Sequence, residues 1–330
     1  MRAAIVREFG PIDTHAIGEM PDPVPRAGEV LIDIKATAVN FVDSLVVTGK
    51  YQFLPPRPFV PGKLPAGEVT KLGEGVSGLQ IGDRVLSLAE QGGYAQKAAV
   101  QAKQCFKLPD DMSFGEAASM ALVYDTSWFA LRERARIQPG ESVLVMGASG
   151  GVGLASVQLA KAMGARVLAG ISTAAKAQPV MAAGADDFVD LSKPNLRDSL
   201  REQVFAKNSG KGVDIIIDPI GGDAFDAALR ALAWRGRLVV IGFASGRIPE
   251  VKANYLLVKN IEVTGLQVSD YRKRMPEMMA DCMREIFSLY EAGKIKPAPF
   301  TTVPLETFAT SLQKVVDRRA SGRIVLEPNT

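Results

Sequence analysis

A run of glycines between an apolar strand and a helix is the feature that most limits what this 330-residue chain can fold into. The segment Gly147–Gly153 follows the predicted strand Val143–Met146 and opens the predicted helix Val152–Met163. Glycines in this setting allow a tight turn and a close approach to a pyrophosphate, and the helix N-terminus offers free N–H groups. A Gly-rich turn that binds nothing is the alternative. The predicted dinucleotide-binding residues are Gly147, Ser149, Gly150, Gly151, Val152 and Gly153.

The segment that contains these glycines repeats a strand, a turn and a helix. The predicted strands are Ser142–Met146, Arg166–Ala169, Val213–Ile217, Leu238–Ile241 and Ile261–Thr264. They are rich in β-branched residues and show no alternation, which is typical of strands buried on both faces of a parallel sheet. We therefore predict a doubly wound α/β unit.

The first ~110 residues have a different pattern, with many Gly and Pro residues between short alternating runs. Examples are Val30–Lys35, Gly67–Leu72 and Asp83–Leu86, which favour an antiparallel β domain. Ser113 and Glu116 have the spacing of a capping box at a helix start. Near the C-terminus, residues 276–293 predict an amphipathic helix whose apolar stripe faces a core. A last strand, 323–326, is expected to return to the first domain.

The residues after the second predicted strand bear on the choice between NAD and NADP. An NAD site normally carries an acidic residue ~20 positions after the glycines, where it binds the ribose 2′-hydroxyl. No acidic residue occurs from Leu154 to Ala185. Ser172, Thr173 and Lys176 instead supply hydroxyls and a cation suited to a 2′-phosphate. NADPH is therefore the predicted cofactor. For Lys176, the alternative is a solvated side chain that binds no phosphate.

Composition excludes several classes of protein. With Cys105, Cys282 and His15 as its only cysteines and histidine, the chain is too poor in ligands for a structural zinc site. The net charge of +3 comes without a stripe of Lys and Arg, so nucleic-acid binding is not indicated. The polar start and the lack of an apolar run of ~20 residues argue against a signal peptide and a membrane span. We expect a cytoplasmic protein.

Short motifs in a fixed order extend over nearly the whole chain. They are Asn40-Phe41-Val42-Asp43 with Gly49-Lys50-Tyr51, Pro61-Gly62, Gly67-Glu68-Val69, Gly82-Asp83-Arg84-Val85, Gly92-Gly93-Tyr94-Ala95, Thr126-Ser127-Trp128, the glycine run, Asp218-Pro219-Ile220-Gly221-Gly222, Gly242-Phe243-Ala244 and Ser321-Gly322-Arg323. This pattern resembles the zinc-free medium-chain dehydrogenases/reductases of the NADPH:quinone oxidoreductase (zeta-crystallin-like) family. The resemblance implies an α/β fold: a discontinuous GroES-like β-barrel domain at 1–123 and 267–330, and a Rossmann domain at 124–266 with a parallel six-stranded sheet.

The resemblance also implies a site. Asn40, Tyr51 and Thr126 are expected near the nicotinamide and the acceptor, with the backbone of Gly242, Phe243 and Ala244 bordering the nicotinamide. Tyr51 is the candidate for hydrogen-bonding or protonating the acceptor oxygen, and an aromatic wall is its alternative role. Asn40 is expected to order the pocket rather than to do chemistry.

Some positions differ from the patterns of related enzymes. Zinc alcohol dehydrogenases have Cys and His where this chain has Asn40 and Lys63, so no metal is expected. Leu64 stands where the family usually has Glu, so the family's loop conformation and cleft hydrogen bond are not expected at this position. Leu191 and Leu45 replace Tyr residues found in relatives, which weakens any stacking role near the adenine and predicts a more apolar acceptor pocket.

These features predict hydride or electron transfer from NADPH to a quinone or similar conjugated carbonyl. A reductase of α,β-unsaturated aldehydes or ketones is one alternative, because its hydride chemistry is nearly the same. An NADPH-binding protein without enzymatic activity is another. The expected partners are a small quinone or enone and a second copy of the chain, since family members often dimerise through the Rossmann edge strand, here Ile261–Thr264.

Overall fold

Residues 1–329 are described by a computed structural model, in which the chain divides into two units. The first unit contains Met1–Leu122, Arg272–Met279 and the residues from 297 onward. The second unit contains Val123–Tyr271 and Ala280–Lys296. The expected boundaries differ from this division mainly at 280–296, which cluster with the second unit. Glu285 there accepts a hydrogen bond of 2.8 Å from Trp128 Nε1, and the Lys296 carbonyl accepts one of 2.7 Å from Tyr124.

The regular elements are numbered in chain order. The strands are β1 (Arg2–Ile5), β2 (Ala16–Glu19), β3 (Glu29–Ala38), β4 (Ala66–Leu72), β5 (Arg84–Ser87), β6 (Lys97–Gln101), β7 (Cys105–Lys107), β8 (Ser142–Val145), β9 (Arg166–Ile171), β10 (Asp187–Asp190), β11 (Val213–Asp218), β12 (Leu232–Val240), β13 (Glu262–Gly265), β14 (Phe300–Pro304) and β15 (Arg323–Glu327). The α-helices are α1 (Phe41–Val47), α2 (Phe114–Met120), α3 (Val123–Trp128), α4 (Gly151–Ala162), α5 (Ala177–Ala182), α6 (Leu196–Lys207), α7 (Gly222–Ala231), α8 (Ala253–Lys259), α9 (Val268–Arg274), α10 (Pro276–Glu291) and α11 (Phe308–Val316).

The second unit is built on a six-stranded parallel sheet with the order β10-β9-β8-β11-β12-β13. This order is the doubly wound arrangement, and it confirms the expected fold class. Val143, Leu144 and Val145 of the central strand β8 are fully buried, as their continuous apolar run predicts. Helices α6 and α7 pack Leu200, Val204 and other apolar residues onto the same core.

The sequence pattern identified five of these strands and missed β10. Four of the five agree within two residues at each end, whereas β12 begins at Leu232, six residues before the predicted start. Strand β10 has only four residues, and Asp187 and Asp190 stand at its two ends. It lies at the edge of the sheet, where three of its four residues are half-buried. A short half-polar edge strand lacks the apolar run that marks the central strands.

The first unit contains a seven-stranded sheet with the order β14-β15-β3-β4-β5-β7, with β6 paired to β3. All of its pairs are antiparallel except β14 with β15. The C-terminal strand β15 pairs with β3, which confirms that the end of the chain returns to the first domain. The alternating runs place Val30, Ile32 and Ile34 in a buried core.

Two predicted helix features are confirmed. At the start of α2, Ser113 Oγ accepts a hydrogen bond of 3.2 Å from the Glu116 N–H, and Glu116 Oε2 accepts one of 2.8 Å from the Ser113 N–H. In α10, Met279, Met283 and Ile286 are buried, so its apolar stripe is core packing. No helix within residues 1–329 is long and apolar enough to cross a membrane.

Candidate functional site

The glycine run forms a tight loop between β8 and α4. Gly147 has φ of +62°, a left-handed conformation that favours glycine. A Cβ on Gly153 would lie 2.3 Å from the Gly147 carbonyl oxygen and 2.6 Å from Ala148 Cα. Gly153 therefore lets the first turn of α4 pack directly against the loop that precedes it.

The N-terminus of α4 suits an anionic phosphate. Gly150 is the N-cap and has no side chain to cap the helix. The Leu154 N–H bonds to the Gly150 carbonyl at 2.8 Å, so the N–H groups of Gly151–Gly153 precede the first intrahelical bond. The first turn carries no acidic residue. These donors and the positive end of the helix dipole fit the pyrophosphate of a dinucleotide.

Helix α3, which carries Thr126, is hydrogen-bonded to the start of α4. Ser127 Oγ donates 3.1 Å to the Val152 carbonyl, and Ser156 Oγ donates 3.0 Å to Ser127 Oγ. Thr126 is buried, and its N–H donates 2.6 Å to Asp125 Oδ1. The structure thus holds Thr126 in fixed relation to the glycine loop. Ser127 and Ser156 were missed as positioning residues because their spacing along the chain carries no local signal.

Ser172, Thr173 and Lys176 lie just beyond the carboxyl end of β9. All three are exposed, and the turn is closed by a 3.1 Å hydrogen bond from the Lys176 N–H to the Thr173 carbonyl. Their side chains could therefore reach a phosphate without unfolding the turn. Leu191, where relatives have Tyr, is half-buried against the core of the second unit.

The loops after β11 and β12 are joined by hydrogen bonds. Asp218, at the end of β11, accepts bonds of 2.8 Å and 3.1 Å from the N–H groups of Ile220 and Gly221. Burial raises the pKa of Asp218, although these two N–H groups oppose the rise. The Ala244 N–H donates 3.1 Å to the Pro219 carbonyl. Gly242–Ala244 thus form a fixed loop in which Phe243 is 40% exposed.

In the first unit, Asn40 caps α1 and is almost fully buried. Its Oδ1 accepts 2.7 Å from Arg323 Nη2, and its Nδ2 donates 3.1 Å to the Ala38 carbonyl. Its backbone N–H donates 3.0 Å to Asp43 Oδ2. Both ends of the amide are therefore engaged in hydrogen bonds within the first unit.

Asp43 is buried, and its carboxylate accepts hydrogen bonds from Asn40 and Tyr94. The Tyr94 hydroxyl donates 2.7 Å to Asp43 Oδ2. Burial raises the pKa of Asp43, and the charge of Lys63 and the bond from Tyr94 partly offset this rise. The same burial, with the neighbouring Asp43, raises the pKa of Tyr94.

A buried ionic cluster lies next to Tyr51. Lys63 Nζ lies 5.6 Å from the centroid of the Tyr51 ring and pairs with Glu90 Oε2. Arg272 Nη1 lies 2.7 Å from Glu90 Oε1, so one carboxylate bridges two cations. Burial alone would raise the pKa of Glu90, but Arg272 and Lys63 lower it to about 2. The sequence gives no local signal for this cluster, because Glu90 lies 27 residues from Lys63 and 182 residues from Arg272.

The residue after Lys63 also departs from the usual pattern. Leu64 has φ of +53° and is buried, and its N–H donates 2.8 Å to the Ala89 carbonyl. A left-handed leucine costs roughly 1–2 kcal/mol relative to the usual conformation. This left-handed residue directly follows Lys63, whose side chain pairs with Glu90.

Leu45, in α1, is half-buried.

Residues 1–329 contain no group of three or more His, Cys, Asp and Glu side chains arranged to hold a metal ion. Two family models match the chain. Residues 26–110 match the alcohol dehydrogenase GroES-like domain, and residues 151–285 match the zinc-binding dehydrogenase domain. At the catalytic zinc positions named above, however, the structure has Asn40 bound by Arg323 and Lys63 paired with Glu90.

The chain is also similar to whole proteins of this class. It is 36% identical over 301 residues to quinone oxidoreductase-like protein 2 homolog of Nematostella vectensis, covering 90% of this chain and 81% of that protein. The structure of Escherichia coli quinone oxidoreductase complexed with NADPH superposes with a TM-score of 0.90 at 29% identity, covering 99% and 100% of the two chains. The CurK enoyl reductase structure gives a TM-score of 0.88 at 26% identity, covering 99% and 98%.

The fold and the two matched segments, residues 26–110 and 151–285, define an oxidoreductase with a GroES-like domain and a Rossmann domain. Within that class, the chain belongs to the quinone oxidoreductase-like family of zinc-free medium-chain dehydrogenases/reductases.

Proposed function

We propose that the protein reduces a quinone or a similar conjugated carbonyl with NADPH. The observation that carries the proposal is the phosphate cradle of the second unit. The first turn of α4 has N–H groups without intrahelical partners, and Ser172, Thr173 and Lys176 lie exposed beyond β9. The stretch from Leu154 to Ala185 offers no carboxylate to repel a 2′-phosphate. This combination favours NADPH over NADH.

The protein residues hold the cofactor by its phosphates. The α4 N-terminus binds the pyrophosphate, and Ser172, Thr173 and Lys176 bind the 2′-phosphate. The backbone of Gly242–Ala244 borders the nicotinamide. When bound, NADPH supplies the hydride that the acceptor receives. Thr126, held by the bonds between α3 and α4, orients the reacting ring.

On the acceptor side, charge develops on the carbonyl oxygen as hydride arrives at the conjugated system. Tyr51 donates a hydrogen bond or a proton to that oxygen, and Asn40 orders the pocket wall. The Lys63 ammonium lies over the Tyr51 ring, and this cation–π contact holds the ring in place. The supporting observation is the 5.6 Å separation between Lys63 Nζ and the Tyr51 ring.

Alkene reduction is the second candidate function. It is favoured by the similarity to the CurK enoyl reductase structure and by Leu45, which makes the acceptor pocket more apolar. Product analysis separates the candidates, because quinone reduction gives a reduced quinone and alkene reduction gives a saturated carbonyl.

The test is loss of reduced nicotinamide absorbance with NADPH and NADH, each against a quinone and an alkenone, with a chelator present. We expect rapid, chelator-resistant oxidation of NADPH by the quinone. Tyr51→Phe should lower kcat about 100-fold without changing NADPH affinity, whereas Tyr255→Phe, on α8, should leave the rate unchanged. Turnover of the alkenone alone would move the assignment to alkene reduction, and preference for NADH would contradict the role of Ser172, Thr173 and Lys176.

Two further properties belong to the proposal. The protein forms a homodimer through β13, which ends the sheet order and has one unpaired edge in that sheet. Light scattering of the purified chain measures this directly, and a monomer mass would contradict it. We also propose a cytoplasmic location, because a chain with only two cysteines, Cys105 and Cys282, suits a reducing compartment.

A further inference from the structure

A basic cavity of about 440 Å³ lies in the second unit, away from the glycine loop. It is formed where α6, the end of α7, the start of β12 and the end of α8 meet. Val213 and Leu232 are paired at the amino ends of β11 and β12. The glycine loop and Gly242–Ala244 follow the carboxyl ends of the same sheet. A ligand in the cavity would therefore not occupy the space of the cofactor.

Four cationic side chains line this cavity: Arg201, Lys211, Arg230 and Lys259. Of these, Arg230 forms an ion pair, with Asp198. Lys259 Nζ donates to the carbonyls of Leu229, Arg230 and Leu232 at 2.8–3.2 Å. It is thus held at the end of α7 by carbonyl groups rather than by a carboxylate.

The cations of the cavity repel one another. Burial lowers the pKa of Lys259, and the charges of Arg201 and Arg230 lower it further. No carboxylate contributes to that shift. Arg201 lies over the ring of Phe205, 4.2 Å from its centroid, rather than against an acidic partner. An anion bound in the cavity would offset this repulsion. Clusters of cationic side chains bind phosphate groups for the same reason.

An aromatic wall completes the cavity. Trp234 lines it and is 70% exposed, although tryptophan is usually well covered in folded proteins. An exposed indole beside cationic side chains offers a stacking surface for a nucleobase. We propose that this cavity binds a nucleoside polyphosphate, with the base on Trp234, the phosphates on Arg201 and Lys211, and the carbonyl-bound ammonium of Lys259 adding positive charge. This site is separate from the cofactor site.

The experiment uses Trp234 as its reporter. The chain has two tryptophans, Trp128 and Trp234, so Trp128→Phe leaves Trp234 alone. ATP is titrated into this variant with saturating NADP⁺ present, which fills the cofactor site. We expect a saturable change in Trp234 emission that extra NADP⁺ does not abolish. Equilibrium dialysis of ATP against the unaltered chain with NADP⁺ repeats the measurement if the variant does not fold.

Charge variants locate the binding. Arg201→Gln with Lys211→Gln should raise the ATP Kd about tenfold without changing NADPH affinity. Lys71→Gln with Lys103→Gln removes the same charge from exposed positions of the first unit and should leave the Kd unchanged. Absence of saturation, loss of the signal to NADP⁺, or equal weakening in both double variants would overturn the proposal. Equal affinity for tripolyphosphate would overturn the role of the base.

Discussion

The Tyr94 hydroxyl lies 2.7 Å from Asp43 Oδ2, and both side chains are buried. Asp43 Oδ2 also accepts the Asn40 N–H at 3.0 Å. Through Asn40, this carboxylate is connected to Arg323 on the C-terminal strand β15. The start of α1, strand β15 and Tyr94 are therefore held by one buried hydrogen-bond network.

Removal of the Tyr94 hydroxyl tests this network. Tyr94→Phe keeps the ring but leaves the buried Asp43 carboxylate with one donor fewer. We expect a loss of about 1–3 kcal/mol in the free energy of unfolding, measured by urea denaturation. The control is Tyr255→Phe, which removes a hydroxyl bonded at 3.1 Å to exposed Arg197 and should cost less than about 0.5 kcal/mol. Equal effects of the two changes would contradict a special role for the buried pair.

The Glu90 cluster predicts a pH dependence of stability. The pKa of Glu90 is lowered from an ordinary value of 4.5 to about 2, because Arg272 and Lys63 outweigh the cost of burial. A lowered pKa in the folded state gives stability that is complete above pH 4.5 and is lost as the pH falls through 2. The shift corresponds to about 3 kcal/mol. Urea unfolding from pH 7 down to pH 2 should show this loss.

Glu90→Gln is the matching variant. It should be less stable than the parent chain at pH 7, and the difference should shrink as the pH falls toward 2. Glu74→Gln, at an exposed turn, serves as the control and should follow the parent chain. A constant difference between Glu90→Gln and the parent across this pH range would show that the charge of Glu90 does not stabilise the fold.

Gly153→Ala tests the phosphate cradle. The added Cβ would meet backbone atoms of Gly147 and Ala148 at 2.3 Å and 2.6 Å, so the loop or the first turn of α4 must move. We expect NADPH affinity to fall at least about tenfold, measured by the fluorescence of bound NADPH. Gly265→Ala places a Cβ where no atom lies within 4 Å and should bind NADPH normally. Normal binding by Gly153→Ala would contradict the cradle.

Cofactor preference should depend on the residues beyond β9. Ser172→Asp places a carboxylate where the 2′-phosphate is proposed to bind, so the ratio of kcat/KM for NADPH over NADH should fall about 100-fold. Lys176→Met should raise the KM for NADPH and leave that for NADH unchanged. Lys103→Met, at an exposed position of the short 3-10 helix Ala102–Gln104 in the first unit, is the charge control. Parallel changes for both cofactors would rule out recognition of the 2′-phosphate by these residues.

The sequence by itself determined the α/β class, five of the six parallel strands and the position of the glycine loop. These features are local: an apolar run marks a strand buried on both faces, and the glycines that permit the loop are adjacent in the chain. The capping box at Ser113 and the apolar stripe of α10 could also be predicted, because each depends on residues a few positions apart in the chain. Family motifs added Asn40, Tyr51 and Thr126 as candidates.

Tertiary structure alone decided which polar groups became partners. Glu90 is 27 residues from Lys63 and 182 from Arg272, and no periodicity connects them. The same holds for Tyr94 with Asp43 and for the basic cavity, whose cations come from three helices and a loop. Charges pair across such separations because burial makes an unpaired ion costly, and only the completed fold determines which ions are buried together.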